Sequence, residues 1–90
     1  MPRYLVERTF SGAPELAVDE VVERNADDGV TWMHSYVSED TTTMFCLYEA
    51  PSPEAVRRAA RRNQLPVDRI TRVRVLDPYS YHVVDSTDSA

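Results

Sequence analysis

A chain of 90 residues makes one domain and buries roughly 60–70 % of its unfolded surface, so a partner subunit adds useful stability. Apolar residues make up 42 %, yet no apolar run approaches the ~20 residues needed to cross a bilayer. Fifteen acids against ten bases leave a net charge of −5, which speaks against a nucleic-acid groove and against an anionic membrane surface.

The segment 3–10 is rich in aromatic and β-branched residues, is bounded by Ser11-Gly12, and reads as a strand. Its charges at Arg3, Glu7 and Arg8 break up the apolar core that a signal peptide requires. Cys46 is the lone cysteine, so no internal disulfide framework is possible and a reducing cytoplasm is the expected setting. Pro14 suits the first turn of a helix, and Val18, Val21 and Val22 at i, i+3 and i+4 give it an apolar stripe ending near Asn25. Asp27-Asp28-Gly29 is a turn.

Residues 30–38 form the second strand, Glu39-Asp40-Thr41 a hairpin loop, and residues 42–50 the third strand, stopped by Pro51. Ser52-Pro53 reads as an N-cap with proline at the first helical position, opening a helix that runs to about Asn63. Glu54 stands three and four residues before Arg57 and Arg58, the spacing for helical ion pairs. Pro66 stops further helix. Residues 69–76 alternate as a fourth strand, broken by Asp77-Pro78. The polar end from Val84 is expected to be a disordered tail on a single domain of residues 1–83.

The order is therefore β-α-β-β-α-β, whose natural closure is a split βαβ, ferredoxin-like α+β sandwich with both helices on one face of a four-stranded antiparallel sheet. Regular alternation puts Trp32, His34 and Tyr36 on one side of the second strand and Met33, Ser35 and Val37 on the other. The third strand divides Met44, Cys46 and Tyr48 from Phe45 and Leu47. Neither strand separates cleanly into apolar and polar sides, so both sides of the sheet are expected to be covered. A second copy of the same sheet is the simplest cover, which predicts a homodimer.

The stretches Tyr4-Leu5-Val6-Glu7-Arg8, Trp32 to Val37, Phe45 to Pro51, Ala55 to Arg57, Ala60 to Arg62 and Pro66 to Ile70 resemble a family of short bacterial ferredoxin-like proteins of undefined function that includes a nickel-responsive, nickel-binding member. The likeness covers residues 3–78. It implies a dimer and nickel, or another divalent ion, as the bound metal. Many members carry a histidine where this chain has Ala59, so a site that used that histidine is altered here.

His34 and Cys46 are the sharpest chemical pair. A hairpin turning about Asp40-Thr41-Thr42 brings position 34 opposite 47 or 48, and so His34 near Cys46 or Tyr48. Imidazole and thiolate suit nickel, copper or zinc. Tyr36 and Glu7 complete the candidate metal ligands, and His82 lies farther off near the tail. The plainer reading makes His34 a core histidine bonded to Ser35, Tyr36 or Tyr48, with Cys46 packed as a small hydrophobe. Glu7 has an alternative as an ion-pair partner of Arg72 or Arg74.

A second functional class remains open: an enzyme or binding pocket lined by Trp32, His34, Tyr36 and Tyr48, with His34 as base. The Arg57, Arg58, Arg61, Arg62 cluster reads first as a solvated helix face. The third strand lacks the Gly-aromatic pattern of an RNA-recognition module.

Overall fold

Tyr4, Val6 and Arg8 on the first strand are buried while their neighbours are half-exposed, and that alternation sets the architecture. The computed structural model describes residues 1–10, 16–79 and 82–84, the last three for the backbone alone. The elements are β1 (Arg3–Thr9), α1 (Val18–Asp27), β2 (Thr31–Val37), β3 (Thr43–Glu49), α2 (Pro53–Arg62), β4 (Arg69–Val73), β5 (Val75–Asp77) and β6 (His82–Val84).

The four-stranded sheet has the order β2-β3-β1-β4, with every neighbouring pair antiparallel. This is the ferredoxin-like sandwich expected from the element order. β3 and β1 are the two inner strands, and the helix-facing residues of both are buried. Tyr4, Val6 and Arg8 lie opposite Tyr48, Cys46 and Met44 of β3. All of these but Arg8 pack with Val30 and with Ala55, Val56 and Ala59 of α2 to make the core.

α2 begins as its sequence dictates. Ser52 is extended, and its hydroxyl accepts from the Ala55 amide at 3.2 Å, satisfying a helix-end donor. Pro53 follows with no amide to satisfy. Glu54 does not take up Arg58. That arginine instead donates to Asp28, at the end of α1, at 2.8 Å, and Arg62 stands 3.2 Å from the other Asp28 oxygen. The Asp28 side chain is only 4 % exposed, so this carboxylate ties the two helices where water is scarce. Gly29 closes α1 at φ +71°, a left-handed conformation that disfavours side chains.

Three sequence expectations change. α1 is observed from Val18 to Asp27, with Val21 buried but Val18 and Val22 about half exposed. The proposed start at Pro14 lies outside the described residues. The fourth strand divides at Arg74: β4 stays in the main sheet, while β5 leaves it to pair with β6. β6 reaches Val84, and the expected tail beyond it lies outside the described residues.

Candidate metal centre

A β-bulge decides which residues meet. Trp32 pairs with Tyr48 and the next paired residue is His34, opposite Leu47, so Met33 is the extra residue. The bulge turns Trp32 toward the helices, where it packs against the core and donates from Nε1 to Ser35 Oγ at 2.8 Å. In a regular strand, positions 32 and 35 would lie on opposite sides. Beyond the bulge the alternation resumes, and His34 and Tyr36 fall on the open side of the sheet.

The expectation that Trp32, His34 and Tyr36 share one face is therefore corrected. So is the expected neighbourhood of His34 with Cys46 or Tyr48. Position 34 does face position 47, but residues 46 and 48 point to the helix side. Cys46 is 2 % exposed in the core, between Val6 and Ser35 in register. The four residues proposed to line one pocket are likewise divided between the two faces. A different, open groove of about 530 Å³ runs beside Trp32, Ser35, Val37 and Val18 at the β2 edge.

The open face holds the other candidates. His34 and Tyr36 are both exposed, and their rings meet edge to face with centroids 5.3 Å apart. Glu7, Phe45 and Tyr36 form one row across β1, β3 and β2, and Leu5, Leu47 and His34 form the next. Glu7 is paired, loosely, with Arg69 at 3.9 Å. Arg72 faces Tyr4 and so sits on the helix side. His82 belongs to β6, and its side chain is outside the described residues. Among the described residues no three His, Cys, Asp or Glu side chains gather in a metal-holding group. Among the described side chains the open face offers one imidazole and weak oxygen donors, which do not by themselves make a nickel site.

Sequence reasoning missed Arg8. It lies 2 % exposed on the helix side and donates from Nη1 to the Tyr48 hydroxyl at 3.0 Å. Burial pushes the Tyr48 phenol above its ordinary range; the Arg8 charge opposes that shift and Cys46 adds to it. The signal was parity: Arg8 shares its side of β1 with Tyr4 and Val6.

The fold and the sheet register define a small α+β protein of the ferredoxin-like class. The family model described as "Nickel responsive protein SCO4226-like" matches residues 4–73, and the chain belongs to that family. The crystal structure of SCO4226 from Streptomyces coelicolor A3(2) is similar, with a TM-score of 0.64 and 20 % identity over 81 % of this chain and 96 % of that one. At that identity the likeness speaks for the fold alone. No curated protein sequence matches.

Proposed function

We propose that the chain acts as a cytoplasmic homodimer that binds nickel, or a similar late divalent ion, for sequestration or sensing. The observation that carries this reading is His34, exposed beside Tyr36 on the helix-free side of the sheet, in a member of a nickel-responsive family. A neutral imidazole is a good ligand for late divalent ions, and copper and zinc compete for such sites. Tyr36 and Glu7 are the oxygen donors on the same face. Cys46, on the other face, is assigned to packing instead.

Leu5, Phe45 and Leu47 leave the open side partly apolar. Two such faces stacked together bury that surface and bring a second imidazole within the same interface. The missing ligands then come from the partner copy. No helix among the described residues is long and apolar enough to cross a membrane, and the unpaired thiol of Cys46 fits a reducing compartment.

Untagged protein dialysed against nickel, zinc and copper in turn, then analysed for metal and sedimented, tests this. The expected result is a dimer that retains nickel, with retention lost in His34→Ala and kept in Cys46→Ala. Stoichiometric nickel on His34→Ala removes the proposed ligand, and a monomer at micromolar concentration removes the shared site.

A further inference from the structure

The arginine cluster of α2 divides in two. Arg58 and Arg62 turn to Asp28, at 2.8 Å and 3.2 Å, and tie the two helices. Arg57 and Arg61, one turn apart on the same helix, have no ion pair among the described residues. Both line an open groove of about 220 Å³, together with Ala60, Leu65 and Val67. No acid stands among those described lining residues.

The end of α2 builds the groove. Gln64 takes a left-handed φ of +56°. The Gln64 and Leu65 amides donate back to the Arg61 and Ala60 carbonyls, at 3.1 Å and 2.9 Å. That closure folds Leu65 onto the last helical turn, and Pro66 leads the chain away toward β4. Ala60 is buried and Leu65 and Val67 are half-buried, so the groove has an apolar floor. The end of a helix carries negative partial charge, which repels anions. Here the Ala59, Ala60 and Arg61 carbonyls each accept a backbone amide, so the end is capped beside the two arginines.

The floor and the two charges define the ligand. A carboxylate has two oxygens, enough for one guanidinium fork. A phosphate monoester has three free oxygens and close to two negative charges at pH 7, enough for two forks. The apolar floor matches a nonpolar body on the ester. A groove of about 220 Å³ falls below the roughly 300–1,000 Å³ of drug-sized sites, which limits that body to about one ring.

We propose that this groove binds a small phosphate monoester with an apolar body, its phosphate held by Arg57 and Arg61 and its body laid on Ala60, Leu65 and Val67. None of these residues belongs to the open-face metal reading, and each stands or falls without the other.

The test is an NMR titration of untagged, isotope-labelled full-length protein at low salt with phenyl phosphate, inorganic phosphate, benzoate and phenol. The expected result is a saturable shift of the Arg61, Leu65 and Val67 amides with phenyl phosphate, and weaker binding of the other three. Affinity should fall roughly tenfold in Arg57→Gln and in Arg61→Gln, the loss of a charge-assisted hydrogen bond, and should fall with added salt. Both arginines are exposed, and surface changes of this kind leave a fold intact. Arg58→Gln makes the same charge change on the same helix, at Asp28 instead of the groove, and should leave affinity nearly unchanged. No saturable shift with phenyl phosphate overturns the proposal, as does unchanged affinity in the Arg57→Gln, Arg61→Gln double variant. Benzoate or phenol binding as tightly as phenyl phosphate overturns the assignment of a phosphate.

Discussion

The same strands build two faces of opposite burial. On the helix side, Tyr4, Val6, Cys46 and Tyr48 are each at most 5 % exposed under two helices. On the open side, Leu5, Phe45 and Leu47 are only half-buried, and Tyr36 is 64 % exposed. Successive residues on one strand therefore differ in what they contribute: one set packs the monomer's core, the other stays open and is the set that the proposed function uses. The Met33 bulge is where the two sets trade places, moving Trp32 into the first and His34 with Tyr36 into the second.

The sharpest way to break this comparison is to delete one tyrosine from each face. Tyr48→Ala removes a buried aromatic ring and is expected to cost about 3–5 kcal/mol, a large share of the ~5–15 kcal/mol that a small domain possesses. Tyr36→Ala is expected to change monomer stability by no more than about 0.5 kcal/mol. Urea unfolding at low protein concentration measures both. Equal losses would mean that the bulge, and with it the placement of His34, is wrong. On the proposed dimer, Tyr36→Ala should instead raise the concentration at which the protein dissociates, read by sedimentation.

A narrower change probes the interior charge. Tyr48→Phe keeps the ring but takes away the one side-chain acceptor that Arg8 has among the described residues. Hydrogen bonds to charged groups contribute about 1.5–3 kcal/mol, and a loss of that size is expected. Arg8→Met in the same background should recover part of it, because well-packed apolar replacements of buried charges are often tolerated. Additive losses in that double-mutant cycle would separate the two residues energetically.

What could be read from the residues alone follows how local each cause is. α2 was legible down to its cap because Ser52-Pro53 acts within one turn. The element order and the antiparallel sheet were legible because apolar periodicity and turn residues mark each boundary. The bulge was not: residues 30–38 carry no glycine or proline to flag it, and Trp32 moves to satisfy packing against distant Tyr48 and the core. That one-residue slip is why His34 and Cys46, neighbours on paper, lie on opposite faces. The break at Arg74 was hidden because Arg72-Val73-Arg74-Val75 alternate straight across it. Arg8 was readable by parity, but its charge argued for solvent, and only the tertiary fold shows that it is buried.

At the helix end of the comparison, Ser52→Ala should cost about 1 kcal/mol, the usual loss for an N-cap. It should do so without altering either face. Amide exchange at Ala55, the residue whose N–H the hydroxyl holds, should quicken more than exchange in β1. Uniform acceleration across the sheet would mean that the cap supports the whole sandwich and not α2 alone.

The smallest expected effect lies where β2 turns into β3, at the loop that sets the register of both faces. Asp40 Oδ1 accepts from the Ser38 hydroxyl at 2.7 Å, the Thr42 hydroxyl at 2.8 Å and the Thr42 amide at 3.1 Å. Those bonds, the Ser38 hydroxyl first, favour the ionised carboxylate and lower its pKa from 3.8 to about 2. Because the folded value is depressed, the stabilisation is whole above the unfolded pKa near 4 and is lost as pH falls toward 2. The group is fully exposed, so solvent keeps the effect small. The Thr42 amide shift, followed by NMR against pH, should therefore show a midpoint near 2 that disappears in Asp40→Asn. A midpoint near 4 would show a hairpin open in solution, and a register held by the β2–β3 ladder without help from its turn.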